Sequence, residues 1–134
     1  MSMTWGEMDI RTHKKINKDL CGTPIKIGHG FSQVELKTTQ KMVADDKGLV
    51  HGGFVFGLAD YAAMVAVNDP NVVLASSFVK FKKPVKVGEV IMAEAKVLNV
   101  DGRKQTVEVK VFLLEDIVFE GEFNCYVLDQ HVLS

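Results

Sequence analysis

Cysteine is scarce in this sequence, and net charge is almost absent. Only Cys21 and Cys125 occur in 134 residues, far apart and in no C-x-x-C pair. A disulfide scaffold is not expected. Free thiols in a reducing compartment are, and so a cytoplasmic protein. The four histidines, His13, His29, His51 and His131, are scattered and offer no zinc set, so no metal is expected. Sixteen basic residues face seventeen acidic ones, for a formal net charge of −1. That removes any general pull toward nucleic acid or an anionic membrane, and an anionic ligand must be met by a local patch. The first fifteen residues contain no apolar run of the signal-peptide kind. Internal repeats, linkers and low-complexity stretches are missing as well.

What is present is an ordinary globular composition, 47% hydrophobic and 25% charged. The length suits one domain over residues 1–134 with a real core. The most apolar stretch, Leu49 to Val67, is long enough to cross a bilayer. It carries His51, three glycines and, near its middle, Asp60, and a charge there is costly in lipid. It is read instead as a helix over about 50–67, buried on all sides because it has no polar face.

Around that helix the pattern predicts strands. Thr4-x-x-Glu7 followed by Gly22 marks an N-terminal helix over 1–22, docked by the thin stripe Met8, Ile10, Ile16 and Leu20. Gly22 to Gly30 reads as a loop. From Phe31 the period becomes two, predicting a strand to about Ala44, and Asp45-Asp46-Lys47-Gly48 reads as a turn. After Asn68-Asp69-Pro70-Asn71 come runs rich in Val, Phe and Ile near 72–82, 90–100, 106–115 and 117–128, each bounded by turn residues. The fold class is α+β: an antiparallel sheet of five to six strands wrapped around one long helix. A single sheet cannot enclose that helix, so its open side predicts a partner subunit.

Two features of the helix suggest chemistry. His51-Gly52-Gly53 opens it, where unpaired N–H groups and the dipole attract negative charge. The glycines fit either an oxyanion hole or close packing against a neighbouring element. Asp60 lies seven residues beyond Gly53 in the apolar run. A carboxylate there is either a structural group with a hydrogen-bond partner or a general base or nucleophile.

The stretch HGGFVFGLADYAAMVAVN resembles the signature of hotdog-fold acyl-CoA thioesterases, in particular the phenylacetate-pathway, PaaI-like branch. The likeness continues through Phe78-Val-Lys-Phe-Lys-Lys-Pro-Val-Lys-Val-Gly-Glu and Asp101-Gly-Arg-Lys-Gln-Thr, giving a hotdog core over 31–128. The resemblance implies hydrolysis of an acyl-CoA to acid and CoA, with no cofactor beyond the CoA of the substrate. It implies a homodimer or homotetramer, with neither nucleic acid nor membrane as partner. It assigns Asp60 as the catalytic carboxylate and Gly53 as the residue whose N–H polarises the thioester carbonyl. His51 opens the motif in a structural role. Asp45 stands where the family commonly has Asn, and an ionised Asp cannot donate a hydrogen bond. Gly52, Phe54 and Tyr61 are candidate substrate contacts, and Phe56, Met64 and Phe78 are further acyl-pocket candidates. Lys80, Lys82, Lys83 and Arg103 are candidates for the CoA phosphates, with Lys86 and Lys104 beside them. A non-catalytic acyl-CoA sensor on the same scaffold is the alternative. A single helix before the sheet is too little for a helix-turn-helix. A hotdog dehydratase fits less well, because His51 lacks the proline-rich loop expected there.

Overall fold

The computed structural model describes residues 8–134. A short helix α1 (Lys18–Cys21) leads into strands β1 (Thr23–Gly28) and β2 (Phe31–Lys37). A 3-10 turn at Gln40–Met42 precedes the long helix α2 (Gly52–Val67). Four strands follow: β3 (Val72–Phe81), β4 (Val90–Asp101), β5 (Lys104–Leu113) and β6 (Asp116–Val127). They form one antiparallel sheet of six strands in the order β1-β2-β4-β5-β6-β3. The sheet curls around α2, which is the hotdog architecture.

Alternation sorts the sheet's two faces. Ile91, Ala93 and Ala95 of β4 and Val107, Val109 and Val111 of β5 are buried against the helix, with polar neighbours between them. Alanines at β4 meet a helix that is itself rich in alanine, and small side chains let the two backbones approach. Ser32 fixes the helix's height over the sheet by donating from Oγ to the carbonyl of Ala62, at 2.7 Å. Gly121 of β6 does the same for β3. A Cβ there would lie 2.5 Å from the Phe78 carbonyl oxygen and 2.8 Å from the Val79 Cα.

Three expectations need correcting. The N-terminal helix shrinks to Lys18–Cys21, and its expected capping box at Thr4-x-x-Glu7 lies outside the described residues. Residues 8–17 are not helical but are tied to the C-terminus of α2. There Asn68, in the left-handed conformation (φ 54°), accepts from the Arg11 N–H at 2.7 Å and donates to the Asp9 carbonyl at 2.8 Å. The stretch read as a loop over 22–30 is strand β1, an edge strand that tolerates Pro24. Strand β2 ends at Lys37 rather than near Ala44, because Thr38 turns the chain: its hydroxyl donates to the Glu89 carbonyl at 2.6 Å. The helix and the last four strands lie within two residues of the expected bounds. Among the described residues no helix is long and apolar enough to cross a membrane.

Candidate active site

The N-terminus of α2 is built by the loop before it. Gly48, at φ 87°, closes the 45–48 turn in a conformation that suits glycine. Asp45 holds that turn: its Oδ1 accepts from the N–H of Lys47 at 2.9 Å and of Leu49 at 3.2 Å. The chain then bridges back on itself between Val43 and Val50, and the His51 N–H donates to the Met42 carbonyl at 2.9 Å. His51 is the N-cap residue, with no side-chain capping bond. Phe54 donates its N–H to the His51 carbonyl at 3.0 Å, whereas the N–H groups of Gly52 and Gly53 come too early in the helix to meet one of its carbonyls. A Cβ on Gly53 would sit 3.1 Å from the His51 ring, and one on Gly52 would sit 3.2 Å from the Phe81 ring. The glycines thus answer both earlier readings: they permit close packing, and they leave the helix start open.

A groove of about 250 Å³ runs past this helix start, between Gly52 and Val55 on one side and Phe81, Lys82 and Lys83 on the other. Lys82 pairs with Glu120 at 3.3 Å and Lys83 with Asp116 at 3.4 Å, both at the exposed surface. Lys80 and Arg103 are elsewhere. Lys80 pairs across the strands with Glu120 and lines a hollow with Phe78, Lys110 and Glu122. Arg103 pairs with Asp129 and accepts at its carbonyl from Val127, at the end of the sheet where α2 finishes. Phe54 stands edge-on to His51, with centroids 6.2 Å apart. Tyr61 is buried in the core, and Phe78 is 73% exposed. Neither of these two borders the groove.

Along α2, residues 53, 57 and 60 share the one face that the sheet leaves partly open, and Phe56, at its edge, packs its ring on Phe119 and Phe123. Asp60 lies on it. Its Oδ1 is buried without a hydrogen-bond partner among the described residues. Burial pushes its carboxyl from 3.8 up to about 6. The structural alternative, a carboxylate satisfied by a neighbouring hydroxyl, is therefore not what the described residues provide for this oxygen. Sequence reading missed the groups around it. The negative charge of Asp60 reaches both thiols: burial first, and then this charge, raise Cys21 and push Cys125 up to about 12. The two cysteines are thus neutral neighbours of the carboxylate, although they lie 104 positions apart (125 − 21). Gly57 was missed too. Nothing among the described residues lies within 4 Å of where its Cβ would be. A glycine inside a helix costs roughly 1 kcal/mol against alanine, and the chain itself shows no packing reason for it.

Comparison with known proteins places these features in a family. The family model described as Thioesterase superfamily matches residues 47–120, which contain His51, Gly53 and Asp60. A segment of a protein named methylthioribose-1-phosphate isomerase from Aquifex aeolicus is 60% identical over 116 residues, 87% of this chain but 25% of that protein. The transcription factor FapR of Caldanaerobacter subterraneus is 32% identical over 96 residues, 72% of this chain and 48% of that protein. The chain thus spans a quarter to a half of the length of these curated relatives. Among solved structures, an uncharacterized protein from Pyrococcus horikoshii is 55% identical, covering 95% of this chain and 98% of its own, with a TM-score of 0.94. A mutant of the phenylacetic acid degradation protein PaaI from Thermus thermophilus is 25% identical, covering 81% of this chain and 95% of its own, with a TM-score of 0.74. With the family model spanning more than half of the chain, and with helix, sheet and carboxylate arranged as described, this chain belongs to the thioesterase superfamily.

Proposed function

We propose that the chain hydrolyses an acyl-CoA, and that each active site is shared between two copies. One observation carries this reading: a buried, unpartnered carboxylate oxygen on the open face of an otherwise buried helix, one end of which offers free N–H groups. Gly53 and Asp60 are seven residues apart, so about 10 Å separates them along the axis. A carbonyl held within about 3 Å of the Gly53 N–H is out of reach of Asp60 on the same helix. An antiparallel second copy brings its own Asp60 beside that N–H, and two-fold symmetry makes two such sites. A dimer is the smallest assembly that completes the chemistry, and a tetramer pairs two of them.

In this site the Gly53 N–H polarises the thioester carbonyl. The carboxylate of Asp60 either takes a proton from the attacking water or adds to the carbonyl carbon itself. In the first route, water oxygen bonds to the carbonyl carbon and the C–S bond breaks. The departing thiolate takes up the proton, leaving the free acid and CoA. In the second route a carboxylate oxygen bonds to the carbonyl carbon as the C–S bond breaks, and water then cleaves the resulting anhydride, releasing the acid, protonating the thiolate and restoring the carboxylate. Both routes need Asp60 ionised, so the rate climbs as pH rises through about 6. The acyl-carrying end lies in the groove beside Gly52, Val55 and Phe81. Lys82 and Lys83 meet the CoA phosphates, since exposed ion pairs with Glu120 and Asp116 are worth little and are readily exchanged. Asp45 positions the helix start through its turn, and His51 does so through its backbone. A place in the PaaI-like branch is the finer expectation, supported by the likeness to PaaI. A cytoplasmic setting agrees with the two free thiols.

A second reading, an acyl-CoA sensor without turnover, is favoured by the match to half of a transcription factor. Thiol release from a panel of acyl-CoAs separates the two. Turnover that falls roughly 10²–10⁴-fold in Asp60→Asn supports the enzyme. Binding with no thiol release from any acyl-CoA supports the sensor.

A further inference from the structure

We propose that Gly57 sets the spacing between the two central helices of the dimer, and so decides whether Asp60 of one copy reaches a thioester held at Gly53 of the other. The inference rests on the shared-site reading above. If Gly53 of one helix lies beside Asp60 of an antiparallel helix, the helices cross midway between these positions, which is between Phe56 and Gly57. Of those two, Phe56 is turned into its own sheet. Its ring lies 5.5 Å from the Phe123 ring and 6.3 Å from the Phe119 ring. Gly57 is left to face the crossing, and its missing Cβ opens onto space that none of the described residues fills.

A glycine in mid-helix is disfavoured, and no contact among the described residues requires it. A close approach by something outside the chain does. The partner helix is the occupant that the position selects, because interaxial distance depends on the side chains at the contact. Aspartate is short, and its carboxylate must come within about 3–3.5 Å of the reacting carbon or its water. A closely spaced crossing supplies that reach. Gly57 is thus a positioning residue that touches no substrate atom.

Gly57→Ala and Gly57→Ser test this in the full chain, with turnover of an acyl-CoA measured beside sedimentation. Each added group meets open space in its own chain, so both variants should fold. At the crossing it moves the helices apart by about 1 Å, a displacement that can cost on the order of 10²-fold in rate. The expected result is a kcat lowered 10- to 100-fold, more in Ser than in Ala, with KM nearly unchanged and the dimer retained or weakened. A wild-type rate in both variants overturns the assignment while leaving a dimeric, active thioesterase in place. A loss confined to KM that grows with acyl length overturns it too, because the gap would then belong to the substrate. Failure of the alanine variant to fold refutes the premise of open space. A wild-type chain that sediments as a monomer at assay concentration overturns the shared site itself, and this inference with it.

Discussion

Asp60 should weaken the fold that it serves, and removing its charge should reveal by how much. Its carboxyl is raised from 3.8 to about 6 by burial, so the folded chain holds a proton that the unfolded chain has released. A raised folded value means that stability is highest below about 4 and is lost as pH climbs through about 6. The difference between the two values amounts to about 3 kcal/mol at pH 8. Asp60→Asn removes that penalty. It also places an amide donor where Oδ1 now has no partner among the described residues, and an unsatisfied donor takes back about 1–2 kcal/mol. The net gain at pH 8 is about 1–2 kcal/mol, or roughly 4–8 °C in melting temperature for a domain of this size. At pH 4 the native carboxyl is mostly protonated and its penalty falls to about 0.5 kcal/mol, so the cost of the amide prevails and the Asn variant should melt a few degrees below the native chain. Thermal scans of both proteins from pH 4 to pH 8 measure the gap. A gap that is constant across that range, or an Asn variant that melts lower at pH 8, refutes the assignment of Asp60 as a buried, uncompensated charge.

Two further outcomes follow from the geometry. Asp45→Asn keeps an oxygen to accept from the N–H groups of Lys47 and Leu49, so the helix start should hold and thiol release should stay equal or rise. A large loss of rate would mean that the negative charge of Asp45 itself takes part. Gly121→Ala should destabilise the fold by more than about 2 kcal/mol in denaturant titration, because the new Cβ meets the backbone of β3 at Phe78 and Val79. A cost under about 0.5 kcal/mol would show that β3 slides freely on β6.

The helix and the last four strands were legible because their signals are local and redundant. Val- and Phe-rich runs are cut by Val87-Gly88-Glu89 and Asp101-Gly102, and an apolar run without a polar face has to be buried. The N-terminal third was not. Met8, Ile10, Ile16 and Leu20 carry too few apolar contacts to fix a helix, and the chain follows Asn68 instead, 57 to 59 positions away. Strand β1 hides behind Pro24, because only the sheet order reveals that it is an edge. In the site, Gly53 and Asp60 stood out by residue type, a glycine at a helix start and a carboxylate in an apolar run, and the roles proposed for them rest on the family resemblance. Lys82 and Lys83, just past the end of β3, reach the groove, whereas Lys80, within β3, joins Glu120 and Phe78 outside it. No periodicity could bring Cys21 and Cys125 within electrostatic reach of one carboxylate. Gly57 could have been noticed as a third glycine in helical register with Gly53, but only an empty Cβ position gives that register meaning.

The shared site is tested most directly by mixing two inactive chains, Asp60→Asn and Gly53→Val, through unfolding and refolding together. A heterodimer then carries one site with an intact Gly53 from one chain and an intact Asp60 from the other. Random pairing makes about half of the dimers mixed, and each has one of two sites restored, so roughly a quarter of wild-type thiol release should return. Recovery near that level is what two antiparallel central helices require. Confirmed hetero-pairing with no recovery of activity contradicts them.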